Sequence, residues 1–177
     1  RSGDSLLACL PCRTVDHLIL LDTNGRAYSI AAADIPGGKG DGIPATSLAD
    51  FQDGGKPCLA LAIKSDALYL VAASGGYGFR CQGSDFLSRG KAGKALMTLP
   101  EGETPVVFVP APTGEIACLT RDGRALVFAI GEIRLLPKGR GLKLIDTAPG
   151  KLALEDILPV IEGVAGKLKG ERLEFCR

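Results

Sequence analysis

The chain has 177 residues, 46% of them hydrophobic, with 24 glycines, 11 prolines and a formal net charge of +1. That length and apolar content can fill one core or a few small fused ones, and they exclude an intrinsically disordered chain. No apolar run approaches the ~20 residues of a membrane span and no charged-then-apolar leader opens the chain, so a cytoplasmic protein or a piece of one is expected.

The opening RSGDSLLACL reads as the end of a preceding unit, and a first hairpin follows. Residues 18–21 lead through Asp22, Thr23, Asn24 and Gly25 into a second strand over 27–30, and Asn-Gly predicts a primed turn with both central residues at positive φ. A strand at 58–63 precedes a second hairpin that turns at Gly75 and Gly76 and then alternates Tyr77, Phe79 and Cys81 with smaller or polar neighbours. A strand at 106–109 precedes the third hairpin, which runs from 116–119 through Asp122 and Gly123 into 125–130. Residues 148–157 (APGKLALEDI) have the composition of one or two helical turns, although they fill the slot that a basic loop and first strand fill elsewhere. A fourth hairpin, KLKGERLEF, turns at Gly170.

The turn glycines Gly25, Gly76, Gly123 and Gly170 lie 51, 47 and 47 residues apart. A period near 50 with three or four strands per unit marks a bladed β architecture, in which each unit buries its apolar faces against its neighbours. The expected organisation is a fragment of one repeat domain, with units at roughly 1–52, 53–103, 104–150 and a partial 151–177, and both ends cut from a longer array.

Each hairpin is followed by an acidic residue and a glycine-rich loop. Loops 37–44, 86–100 and 133–145 hold eight of the 21 basic residues (Lys39, Arg89, Lys91, Lys94, Arg134, Lys138, Arg140 and Lys143) and one of the 20 acids, Asp41. The near-neutral average therefore conceals basic loops on an acidic remainder. Gly93-Lys94 does not make a P-loop, because Ser88 stands where the upstream glycine is required and Ala95 where Ser or Thr is required. What remains is backbone N–H made accessible by glycine beside Lys and Arg, repeated three times, which points to a polyanion-binding edge.

Other candidate residues read as structural. Cys58, Cys81 and Cys118 sit in or beside apolar strands, Cys9 and Cys12 lack a second close Cys/His pair, and Cys176 stands alone. Six free thiols and no metal are expected. His17, the sole histidine, has no companion for metal or nucleophile chemistry. Asp34, Asp85 and Glu132 recur after each hairpin, and a catalytic carboxylate would hardly recur once per blade, so they are expected to cap turns.

The stretches DTNGRAYSIAAADIP, SGGYGFRCQGSDFLSRGKAGKALMTLPEG and RDGRALVFAIGEIRLLPKGRGLKLI resemble the blades of the C-terminal domain of bacterial type IIA topoisomerase A-type subunits, the β-pinwheels. The resemblance leans to the topoisomerase IV branch (ParC), because the glutamine- and arginine-containing basic box of the gyrase branch is absent. It implies an all-β fold of four-stranded antiparallel blades, about three complete plus partial terminal units, in which one strand is exchanged between neighbours. It also implies a non-catalytic domain that holds duplex DNA without sequence preference on a basic rim, from Lys39 through Arg89, Lys91 and Lys94 to Lys138, Arg140 and Lys143, with Arg134 the remaining loop cation. No cofactor is implied. The implied partners are duplex DNA, the ATPase subunit ParE and the rest of ParC, in an A2B2 heterotetramer at the bacterial nucleoid. A protein-interaction propeller and a bladed enzyme with a central site are the competing readings; the first predicts indifference to salt, the second converging titratable groups.

Overall fold

The computed structural model describes residues 6–38, 40, 42–111, 113–120, 123–146 and, by backbone, 154–159. The Gly170 hairpin, Cys176, Lys39 and Asp41 lie outside the described residues.

Strands β1 (His17–Asp22) and β2 (Arg26–Ala31) form the first hairpin, in register from His17 opposite Ala31 to Leu21 opposite Ala27. A single helical turn, α1 (Ala45–Leu48), leads to β3 (Pro57–Ile63), and β4 (Leu68–Ala73) with β5 (Tyr77–Gln82) makes the second hairpin. The two-residue strand β6 (Lys94–Ala95) precedes β7 (Pro105–Pro110), and β8 (Glu115–Thr120) with β9 (Ala125–Ala129) makes the third hairpin. The two-residue β10 (Leu142–Lys143) and β11 (Leu154–Pro159) complete the order.

The pairing crosses the repeat. The sheets run β3-β1-β2-β6, β10-β5-β4-β7 and β11-β8-β9, so the strand that precedes each hairpin in sequence pairs with the hairpin before it. The basic loop after the second hairpin returns to the first sheet, where Lys94 pairs with Ala27 and Ala95 with Arg26. The loop after the third returns to the second sheet, where Leu142 pairs with Gly78 and Lys143 with Tyr77. The expected strand exchange is therefore present, with two strands of each complete blade contributed by later sequence.

Two expectations require correction. Among the described residues only Asp53 of the non-glycines has positive φ, so Asn24 does not, and the turn is not of the primed type. Gly25, Gly76 and Gly123 are left-handed, at φ +77, +81 and +84, and each N–H bonds the carbonyl three residues back, on Asp22, Ala73 and Thr120. This is the three-residue hairpin whose last position must be left-handed, the other solution compatible with strand twist. Leu154–Pro159, in the stretch with helical composition, is a strand antiparallel to β8, because pairing with the neighbouring hairpin overrides local propensity.

The strands are apolar on both faces because successive sheets pack face to face. In β4, Tyr69 and Val71 join Ile19, Leu21, Phe79, Phe86 and Phe108 in a core between the first two sheets, while Leu70 and Ala72 join Ile116, Cys118 and Ile133 in a core between the second and third. Polar anchors fix the first turn. Asp22 is fully buried and its carboxylate accepts from the backbone N–H of Asn24 (2.9 Å) and Arg26 (2.8 Å) and from the Tyr28 hydroxyl (3.0 Å). A Cβ at Gly55 would collide with that carboxylate, so Gly55 leaves the space that Asp22 occupies.

Candidate nucleic-acid interface

Each basic loop begins with a one-turn 3-10 helix at the end of a hairpin. Asp85 accepts from the N–H of Gln82 (2.9 Å) and Glu132 from that of Ala129 (3.3 Å), so both acids cap their turns, the role expected for them. From the second and third of these turns the chain crosses to the preceding blade, and an arginine of that blade receives it. The Arg26 guanidinium donates to the carbonyls of Ala92 (2.9 Å) and Gly93 (3.4 Å), and that of Arg80 to those of Ile133 (2.8 Å) and Gly131 (3.4 Å). These two arginines lie in strands, outside the loops the sequence singles out, and they clamp loop backbone. The only signal for Arg26 is its place directly after the turn glycine.

Two loop glycines are required by close approach. Gly93 (φ +59) lies against β2, where a Cβ would sit 2.5 Å from the Ala27 carbonyl oxygen, and Gly141 (φ +83) lies on β5, where a Cβ would overlap the Gly78 carbonyl. Their role is to seat β6 and β10, more than to bare backbone N–H for an anion.

The loops are joined to one another. The Asp50 N–H donates to the Lys91 carbonyl (2.8 Å) and the Lys91 ammonium to the Ser47 carbonyl (2.7 Å), which ties the second loop to the segment of α1 and Asp50 that follows the first loop. The Gly139 N–H donates to the Leu96 carbonyl (2.8 Å) and its carbonyl accepts from the Thr98 N–H (3.0 Å), which ties the second loop to the third. Segments 47–50, 91–98 and 138–143 thus form one hydrogen-bonded band across successive blades.

The sequence-derived cations divide by their engagement. Arg89, Lys91, Arg134, Lys138, Arg140 and Lys143 are exposed and Lys94 is half-buried in β6, while Lys39 is outside the described residues. The Arg140 guanidinium stacks 3.8 Å above the Tyr77 ring and lies 3.7 Å from Glu103; the Lys143 ammonium is 6.0 Å from the same ring and bonds Asp146, which holds its pKa up and that of Asp146 down. Arg89, Arg134 and Lys138 have no side-chain partner among the described residues. Exposed cations on a fixed backbone neutralise phosphates without reading bases.

Among the described residues no comparable cluster of groups for other chemistry gathers. His17 lines a pocket of about 330 Å³ with Lys64 and the Arg13–Asp16 ion pair (2.8 Å), and among the described residues no three His, Cys, Asp or Glu gather as metal ligands. The five described cysteines are free, and burial pushes the thiols of Cys58, Cys81 and Cys118 up to about 11, 12 and 11. With an aromatic disulfide reagent at pH 8, Cys9 and Cys12, both exposed, are expected to react in the native protein well before those three, and all six thiols in denaturant. Equally fast labelling of Cys81 would contradict the packed core.

The comparisons with known proteins agree with this architecture. A family model described as the DNA gyrase C-terminal domain, beta-propeller, matches residues 69–104 and 114–156. The A-type subunit of DNA topoisomerase 4 from Neisseria gonorrhoeae is 46% identical over 85% of this chain, and its counterpart from Pseudomonas aeruginosa is 33% identical over all of it. The chain spans 21% and 26% of the lengths of these two relatives. The solved C-terminal domain of Escherichia coli ParC superposes with a TM-score of 0.80 at 30% identity, covering 89% of this chain and 67% of that one. A superposition and a sequence identity of this extent place the chain in one family: it belongs to the C-terminal β-pinwheel domains of topoisomerase IV A-type subunits.

Proposed function

We propose that this chain binds duplex DNA without sequence preference along its band of basic loops and, itself non-catalytic, holds that DNA for the core of a bacterial topoisomerase IV. The observation that carries the reading is the hydrogen-bonded continuity of segments 47–50, 91–98 and 138–143, which joins the second and third basic loops and sets Lys91, Lys94, Lys138, Arg140 and Lys143 on one connected ribbon of backbone. Arg89 and Arg134 extend it, and Lys39 belongs to the same loop pattern in sequence. The four-residue α1 is too short to read a major groove, which supports binding through phosphates alone. Units 1–52, 53–103, 104–150 and 151–177 would form part of one repeat domain, working beside ParE and the rest of ParC at the nucleoid.

Fluorescence anisotropy on a labelled duplex of a few tens of base pairs tests this. Engagement of about five phosphates gives a slope of about −4.5 in log affinity against log salt, similar for unrelated sequences. Absence of binding at low salt, or affinity indifferent to salt, would overturn the proposal in favour of a protein-interaction propeller.

A further inference from the structure

The first two blades place a carboxylate at the same point beside the hairpin turn and supply it from opposite sides. In the first, Asp22 of the turn fills the space over Gly55; in the second, Ala73 takes the place of Asp22 three residues before the turn glycine, and Glu103 stands where Gly55 stands. Hydrogen bonds fix this correspondence, since the Thr23 N–H bonds the Lys56 carbonyl and the Ser74 N–H that of Thr104, the residues directly after Gly55 and Glu103. Gly75 makes the room, because a Cβ there would collide with the Glu103 carboxylate.

The two carboxylates are not equally satisfied. Asp22 accepts from two backbone N–H groups and from the Tyr28 hydroxyl. Phe79 replaces that tyrosine in the second blade and has no hydroxyl to give, and Glu103 Oε2 is buried without a hydrogen-bond partner among the described residues. Such an oxygen is costly, and a nearby cation offsets the cost. That cation is Arg140, 3.7 Å from Oε1. Two further exchanges bring it there: Arg140 holds in the third loop the place of Ala92 in the second, two residues before the short strand, and Tyr77, on which it stacks, holds the place of Arg26. In the first blade the arginine belongs to the strand and is spent on loop carbonyls; in the second it belongs to the loop and faces an acid.

We propose that Glu103 competes with DNA phosphate for Arg140 and so limits the affinity of the basic band where its second and third loops meet, an inference that rests on the DNA-binding reading above. The Tyr77 ring covers one face of the guanidinium, whose N–H groups lie in its plane, so a phosphate and the Glu103 carboxylate draw on the same fork. A separation of 3.7 Å exceeds hydrogen-bond length, so charge alone couples the pair, and Arg140, 45% exposed, is open to a stronger partner. A phosphate that takes it leaves Glu103, 20% exposed, without its counter-charge, and that loss is subtracted from binding. Asp146 exerts less of this effect on Lys143, because at 72% exposure water solvates it when its partner leaves.

Glu103→Gln removes the charge and keeps the shape. Anisotropy with the labelled duplex should give an affinity about fivefold above that of the parent near 0.1 M salt, with a salt slope steeper by about 0.9, the share of the phosphate that Arg140 then neutralises. Glu101→Gln removes an exposed acid two residues away and should change affinity less than about twofold with the slope unchanged. In an Arg140→Gln background, Glu103→Gln should do no more than Glu101→Gln does. A purely structural role for Glu103 has the opposite sign, since a loosened turn weakens binding. Unchanged or weaker binding by the Glu103→Gln chain, an equal gain from Glu101→Gln, or a gain that persists without Arg140 would overturn this inference and leave the DNA-binding reading standing, whereas absence of binding by the parent would overturn both.

Discussion

Replacement of Arg89, Arg134 and Lys138 together by glutamate is expected to lower affinity for duplex DNA by about two to three orders of magnitude near 0.1 M salt. These three are exposed and carry no side-chain partner among the described residues, so each is free to meet a phosphate. A charge-assisted contact of about 1.5 kcal/mol, lost three times, amounts to about 4.5 kcal/mol, roughly three decades, before any repulsion is added. The salt slope should shrink by about 2.7, the share of three phosphates. Reversal at Arg140 and Lys143 is expected to do less per charge, because Glu103 and Asp146 already offset them. Arg80→Gln should instead lower the melting temperature and leave the salt slope of the folded protein unchanged, since that guanidinium is spent on the Ile133 and Gly131 carbonyls. Anisotropy titrations at several salt concentrations read both quantities; an unchanged slope in the triple variant would remove these residues from the interface.

Gly141→Ala is the second large effect, and it acts on stability. The residue is left-handed at φ +83, and its new Cβ would overlap the Gly78 carbonyl of β5. Left-handed strain and overpacking each cost about 1–3 kcal/mol, so a loss of about 3 kcal/mol or more is expected, equivalent to a fall of about 10 °C in Tm for a chain of this size. Gly90→Ala in the second loop is the matched control: its φ is ordinary and a Cβ there meets nothing within 4 Å, so a change within about 0.5 kcal/mol is expected. Urea unfolding of the two variants measures the contrast. Equal stability would show that β10 does not depend on its glycine.

The parts of this architecture legible in sequence are those written locally. The turn glycines at 25, 76 and 123, the strands beside them and the acids Asp85 and Glu132 each answer to a rule spanning a few residues, and the structure places them where that rule puts them. The primed turn expected at Asn24-Gly25 failed because a dipeptide does not specify loop length, and here the turn takes one residue more. The strand at Leu154–Pro159 failed the other way, since its Leu and Glu content favours helix until β8 offers an edge. The partners of β6 and β10 were beyond a local reading of residues. Nothing within residues 86–100 says that Lys94 will lie beside Ala27; that pairing depends on the fit of Gly93 to the Tyr28 ring and on the reach of Arg26, both 60 or more residues away. The basic loops were legible as charge and not as geometry: composition found Lys138 and Arg140, but the hydrogen bonds that join Gly139 to Leu96 and Thr98 are backbone, which composition does not encode.

The exchange of strands also sets a timetable. The first blade lacks its fourth strand until residue 95 has been synthesised, and the second until residue 143. On a ribosome adding about 5–20 residues per second, each hairpin therefore waits several seconds with one edge open for the loop that closes it. A nascent chain of this kind completes its blades one unit behind its own translation, and the edge that waits is the one most exposed to pairing with a neighbouring nascent chain.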